Sequence, residues 1–163
     1  MASKKVIIGA VVLIAIIAVA AIAIGGGSSD DTPEARYNYK IELADSFAWT
    51  GESGTAYTEH PDAGKQYAIL TYKAVNDSYD DGISTNALIW EWKVIIDGVS
   101  YTCDFDTFSH PGYQLVTAGV GGTATQCMVF QIPTTVALGD ITVSQEYRSL
   151  DAPRLQHDAT IVI

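Results

Sequence analysis

The feature that most constrains this chain is an uninterrupted apolar stretch near its N-terminus. Residues Val6 to Ile24 are 19 consecutive residues without a polar or charged side chain. As an α-helix they would extend roughly 28 Å, close to the hydrocarbon thickness of a bilayer, which is about 30 Å. A buried helix of a soluble protein would normally show a polar face with a period of about 3.6 residues, and this stretch has none. We therefore predict one transmembrane helix over residues 6–24.

The residues around this helix predict its orientation. Lys4 and Lys5 precede it, so residues 1–5 form a basic tip that should stay in the cytoplasm. The apolar stretch is longer than the core of a signal peptide, about 7 to 15 residues, which favours a retained signal anchor over a cleaved signal. Residues 25–36 begin with Gly-Gly-Gly-Ser-Ser and read as a flexible linker. We predict a single-pass protein of the cell membrane with an extracytoplasmic C-terminal domain.

The charge of the remaining chain excludes one class of partner. All 19 acidic residues but only seven of the nine basic ones follow Ser28, which gives a formal charge of −12. Such a domain repels nucleic acid, and it also repels an anionic bilayer surface. The only predicted membrane contact is therefore the N-terminal helix, and no nucleic-acid partner is expected.

From Tyr37 onward the sequence is typical of β structure. Runs of β-branched and aromatic residues alternate with clusters of Gly, Pro, Asp and Asn, and no helical period is present. The clearest alternation is Trp90 to Ile96, and Asp97-Gly98 then suits a two-residue hairpin turn. The predicted strands lie near Tyr37–Leu43, Gln66–Asn76, Leu88–Ile96, Val99–Phe105, Tyr113–Thr117, Thr123–Ile132, Asp140–Arg148 and Asp158–Ile163. This number of short strands predicts an immunoglobulin-like antiparallel β-sandwich over residues 37–163.

Three segments also resemble a known family. They are Gly64 to Asn76, Trp92 to Gly98 followed by Tyr101, and Gly121-Gly122 before Val129 to Pro133. Together they resemble the telokin-like, immunoglobulin-like extracellular domains of unknown function found behind single anchors in archaea and Gram-positive bacteria. The resemblance spans roughly residues 37–163 and implies a sandwich outside the cell, with no catalytic residue. Some of these relatives have a lipoprotein cysteine, which this chain lacks.

The two cysteines predict a cross-link. Cys103 and Cys127 are the only pair, and outside the cell such a pair most simply forms a disulfide. It would close a loop of about 25 residues and contribute roughly 3 kcal/mol on the chain-entropy model. If the thiols are free, they should be inert core residues.

An acidic loop follows the second predicted strand. Asp77, Asp80 and Asp81 could supply oxygen ligands to calcium, but the pattern is loose, and the alternative is a solvated acidic turn. Asn76-Asp77-Ser78 is also a glycosylation sequon. No cofactor is predicted.

No constellation of catalytic residues stands out in the sequence. Asp104 and Asp106 would lie on the same side of a predicted strand, where exposed strand acids are the favoured interpretation. His60, His110 and His157 do not have the spacing of metal ligands. We therefore predict that the protein is not an enzyme.

The leading functional hypothesis is a non-catalytic, membrane-anchored domain that binds or stabilises a cell-envelope component, either a protein or a glycan. The aromatic residues at Phe47–Trp49 and Tyr57 are candidate contact surfaces, although Trp49 could equally be buried. A pilin-like filament subunit is the alternative, because two lysines followed by an apolar helix resemble archaeal pilins. The glycines at residues 25–27 argue against a continuous pilin helix. A surface hydrolase, tested at Asp104 and Asp106, is a third hypothesis.

Overall fold

The computed structural model describes residues 32–163, which form an almost entirely β structure. Within these residues the strands are β1 (Ala35–Ala44), β2 (Phe47–Thr50), β3 (Ala56–Glu59), β4 (Lys65–Asn76), β5 (Ile83–Ser84), β6 (Trp90–Ile96), β7 (Val99–Tyr101), β8 (Thr117–Ala118), β9 (Thr123–Pro133), β10 (Thr142–Tyr147) and β11 (Leu155–His157). Two short 3₁₀ helices cover Phe105–Ser109 and Leu138–Asp140. The all-β prediction is confirmed.

The predicted cytoplasmic tip, the predicted transmembrane helix over residues 6–24 and most of the predicted linker lie outside the described residues. Among residues 32–163, no helix has the length and apolar character needed to cross a membrane. The predicted linker ends too late, because β1 already begins at Ala35.

The larger sheet has the strand order β11-β1-β4-β9, with the long strand β4 near its centre. Strand β4 pairs antiparallel with β1 and with β9, and the register places Leu70 between Ile41 and Met128. At the other edge, β11 pairs with β1 in parallel. This parallel pair is an exception to the predicted antiparallel pairing. It forms because the chain returns to the larger sheet beside β1, where Arg154 donates its main-chain N–H to the Glu34 carboxylate.

The smaller sheet has the order β10-β6-β7 and faces the larger one across the main core. Trp90, Trp92 and Val94 of β6 are at most 1% exposed, whereas the residues between them are half-buried, so the predicted alternation is confirmed. The turn at Asp97-Gly98 has positive φ angles of 49° and 79°, as a two-residue hairpin requires.

Aromatic side chains fill the main core between the sheets. The rings of Tyr72 and Trp92 stack with centroids 4.7 Å apart, and Tyr37 meets Trp92 edge-on at 5.6 Å. Trp92 Nε1 is the buried side-chain donor that finds no hydrogen-bond partner within residues 32–163. Packing of large rings therefore contributes much of the contact between the two sheets.

A second, smaller cluster lies on the outer face of the larger sheet. The hairpin of β2 and β3 folds over this face, and Phe47 packs there against Tyr67, Ile69 and Val129. As a result, parts of β4 and β9 are buried on both faces. The sequence did not predict this hairpin, because its strands have only four residues each.

Three predicted strands differ in the structure. Strand β7 ends at Tyr101, and the chain enters a 3₁₀ helix because the Asp104 carboxylate accepts a hydrogen bond from the Asp106 main-chain N–H at 3.1 Å. Of the strand predicted at residues 113–117, only Thr117 lies in a strand, and that strand is the two-residue β8. The last strand is Leu155–His157, and the apolar residue Ile161 instead packs as part of an irregular C-terminal segment.

Candidate binding groove

An apolar cavity of about 450 Å³ lies beside the start of β6, and we call it the β6 groove. One wall comes from the turn before β6, including Leu88, and the other from the segment after β7, including Phe108, Tyr113 and Leu115. Met128 of β9, which is 1% exposed, also lines it, so the groove reaches the main core.

The groove exists because residues 102–115, which we call the crossing segment, attach to β9 and not to β6. The Thr107 hydroxyl donates to the Val129 carbonyl at 3.2 Å and accepts from the Val129 N–H at 2.9 Å. The Gln126 side chain likewise bonds both main-chain groups of Gln114, at 2.6 and 2.8 Å. These bonds satisfy polar groups along the free edge of β9 and leave a gap between the crossing segment and β6.

The rim of the groove carries large apolar side chains that water reaches. Leu88 is 81% exposed, Leu115 is 61% and Phe108 is 56%. Phe105 does not line the groove but lies next to Phe108 and is 86% exposed. The ring of Phe108 lies 6.0 Å from that of Phe105 and meets Tyr113 edge-on at 5.1 Å. Single exposed apolar residues are ordinary, but a contiguous group around a cavity is typical of an interaction surface.

The charged residues of the groove neutralise one another. The Glu91 carboxylate accepts a hydrogen bond from Arg148 and forms an ion pair with Lys93 at 3.1 Å. Arg148 also pairs with Glu146 at 3.1 Å. Exposed pairs of this kind add little stability, but they leave this wall of the groove without an unmatched charge.

The structure does not contain the predicted disulfide: Cys103 and Cys127 are both free. Side chains alternate along β9, so that Met128 faces the main core while Cys127 points to the opposite face. There its Sγ lies 3.2 Å from Thr71 Oγ1, whereas Cys103 packs against the main core and lines the groove. Burial raises the pKa of both thiols, which makes them poor nucleophiles.

The acidic loop has a structural role at its first carboxylate. Both oxygens of Asp77 accept from the Arg36 guanidinium, at 2.8 and 2.9 Å, and this lowers the pKa of Asp77. Arg36 also donates to Asp158 at 2.8 Å. Asp80 and Asp81 are exposed. Within residues 32–163 no group of three or more His, Cys, Asp or Glu side chains is arranged to hold a metal ion.

The glycosylation prediction at Asn76 is wrong for the folded domain. The residue is 0% exposed, and its amide nitrogen donates to the carbonyls of Tyr79 and Ala118 at 2.9 and 2.8 Å. The Asn76 side chain closes the turn after β4 and has no room for a glycan in the folded domain.

The predicted acidic pair does not share a strand. Asp104 caps the 3₁₀ helix and accepts from Gln131 at 3.1 Å, while Asp106 accepts from the Tyr67 hydroxyl at 2.5 Å. Burial, followed by the bond to Asp106, raises the pKa of Tyr67. Each carboxylate therefore has its own structural partner.

The three histidines also have separate surroundings. His110 packs against Phe47 with ring centroids 4.9 Å apart, and burial lowers its pKa. His157 bonds Asn38 at 3.1 Å, and His60 lies in the loop after β3.

The sequence predicted the aromatic residues of the β2–β3 hairpin as a contact surface, although it did not predict the hairpin itself. Trp49 stacks on Tyr57 at 4.6 Å and donates to Glu59 at 2.9 Å. Trp49 is partly buried against the second cluster, whereas Tyr57 is 45% exposed. The β6 groove was not predicted from the sequence; the signal present there is the apolar residues Phe105, Phe108 and Leu115 on either side of Pro111-Gly112.

Comparisons with known proteins give no family. No family model matches the chain, and no curated protein matches it. A conserved hypothetical protein from Bacillus anthracis is similar in structure at a TM-score of 0.49 and 13% identity, covering 76% of this chain and 87% of that one. A provisionally assigned lipoprotein from Bacillus subtilis has a TM-score of 0.36 and 7% identity, covering 71% of this chain and 39% of its own. Neither likeness is close enough to inform the function.

Proposed function

We propose that this protein is a non-catalytic, membrane-anchored, extracytoplasmic domain of immunoglobulin-like type that binds or stabilises a component of the cell envelope. The observation that carries the proposal is the β6 groove with its exposed apolar rim. Water in contact with this rim is released when a partner covers it, at roughly 25 cal/mol per Å² of apolar surface. We infer the membrane anchor from the apolar stretch at residues 6–24 and from the lysines that precede it.

The chemistry of the groove favours a protein component over a glycan. Seven of the eleven residues that line the groove are apolar or aromatic, and its charged residues are already paired. A glycan needs many hydrogen-bonding groups to replace its water, whereas apolar walls suit the buried centre of a protein interface.

The test is site-directed photo-crosslinking in intact cells. A photoreactive amino acid at Leu88 should capture the same envelope component reproducibly. The matched control is the same amino acid at Val99, which is 55% exposed at the start of β7, at the end of the β6–β7 hairpin that lies away from Leu88. Adducts of equal yield and identity at both positions, or none at Leu88, would contradict the proposal.

A further inference from the structure

We infer that the occupant of the β6 groove is a protein segment that inserts one bulky apolar side chain and carries basic residues on either side of it. This inference rests on the proposed function and names the partner's chemistry.

The shape of the groove supports insertion of a side chain from a larger molecule. A volume of about 450 Å³ accommodates a large aromatic or aliphatic group. Met128 and Cys103 would contact such a group in the depth of the groove. A small molecule that filled the cavity would still leave the outward rim uncovered, since Leu88 is 81% and Leu115 is 61% exposed. A partner that covers both cavity and rim must extend beyond the cavity mouth.

The charge of the domain then selects among large partners. Residues 32–163 carry 17 acidic and seven basic side chains. A second copy of this chain would bring the same negative charge to the interface, and an anionic bilayer would be repelled as well. A segment with lysines or arginines is attracted by the same field.

The charges in the wall of the groove indicate where the partner's basic residues would lie. Glu91 is matched by Arg148 and Lys93, so the cavity itself has no free carboxylate that calls for a buried cation. Burying an unmatched charge would be costly, whereas basic residues at the rim keep their water. The apolar group therefore enters, and the basic residues remain outside on both sides.

The experiment uses the full chain in nanodiscs of phosphatidylcholine, which has no net charge. The probe is the peptide acetyl-Lys-Gly-(5-fluorotryptophan)-Gly-Lys-amide, followed by the width of its ¹⁹F resonance. We expect broadening that unlabelled peptide with central tryptophan reverses and peptide with central glycine does not. The version with glutamates in place of lysines should bind at least about tenfold more weakly, as expected for like-charge repulsion.

Two protein variants with the same charge change locate the binding. Leu88→Glu places a carboxylate on the rim and should weaken binding by about tenfold or more, because the central apolar contact carries most of the affinity. Val99→Glu adds the same charge at the far end of the sheet and should leave binding within about twofold. Equal losses in both variants, equal binding of the glutamate probe, or competition by the glycine peptide would overturn the inference.

The outcomes separate this inference from the function on which it rests. If Leu88 captures an envelope component in cells but the basic probe does not bind, the inference fails and the proposed function stands. Capture of lipid or of a second copy at Leu88 also overturns the inference and names the other occupant. If neither experiment gives a specific result at Leu88, both fail.

Discussion

The main core and the crossing segment both contain large apolar side chains, but they use them differently. In the core, Trp90 and Trp92 are at most 1% exposed and pack against each other and against neighbouring rings. In the crossing segment, Phe105 and Phe108 remain more than half exposed. The difference shows that apolar burial stabilises the sandwich, whereas polar bonds to β9 hold the crossing segment and leave its apolar groups available for a partner.

The largest loss of stability is expected in the main core. Trp92→Ala removes a buried ring that contacts Tyr37, Tyr39, Tyr72 and Trp90. The free energy of unfolding should fall by about 3–5 kcal/mol, which is typical when a buried aromatic residue is truncated. Urea unfolding followed by circular dichroism measures it, and a loss below about 1 kcal/mol would contradict this packing.

A smaller loss is expected where the crossing segment meets β9. A Cβ atom at position 112 would lie 2.3 Å from the Cys127 Sγ and 3.0 Å from its Cβ, so Gly112→Ala forces these elements apart. Overpacking of this kind costs about 1–3 kcal/mol. Gly139→Ala is the matched control in thermal unfolding, because its added Cβ would have no neighbour within 4 Å. Similar melting temperatures for the two variants would contradict the close contact.

The polar attachment of the crossing segment gives a third prediction. Thr107 is 0% exposed, and Thr107→Val removes its hydroxyl and leaves the buried Val129 N–H without its partner. The expected loss is about 1–3 kcal/mol. Thr107→Ser keeps the hydroxyl and should lose less, so amide exchange at Val129 should rise mainly in the valine variant. Equal exchange in both variants would mean that the hydroxyl does not hold this segment.

The core was predictable from sequence because its signal is local. Alternation along β6 follows directly from one buried and one half-buried face, and Asp97-Gly98 fixes the hairpin that follows. The main part of β4 was also located, although burial of both faces between Tyr67 and Leu70 hides any alternation there. Such a run indicates a buried strand but does not say what covers its outer face.

The candidate site was not predictable because it depends on contacts between distant parts of the chain. The sequence does not reveal that Asp104 starts a 3₁₀ helix, or that Thr107 bonds β9 instead of extending β7. The same path of the crossing segment keeps the two cysteines apart. Cys103 lies beside the main core, while Cys127 is on the opposite face of β9. Two cysteines with suitable spacing therefore do not meet.

The ion pairs near the chain ends predict a modest pH dependence. Bonds from the Thr160 hydroxyl and N–H, and from Arg36, lower the pKa of Asp158 to about 2. Because this is below the usual value of about 3.9, its stabilising effect is present above that value and is lost as the pH falls towards 2. The melting temperature should decline over this range, and Asp158→Asn should decline less. An identical decline in both proteins would assign the acid sensitivity to other groups.

The smallest effect on stability is expected at the groove itself, where stability and binding should change by different amounts. Leu88 is 81% exposed, so Leu88→Ala removes little buried surface and should change the free energy of unfolding by less than about 0.5 kcal/mol. Binding of the fluorinated basic peptide should nevertheless weaken several-fold, because the leucine covers that partner. Paired urea unfolding and ¹⁹F titrations measure both quantities on one sample. A substantial loss of stability without loss of binding would mean that Leu88 belongs to the folded structure of the turn before β6, and that the partner lies elsewhere on the domain.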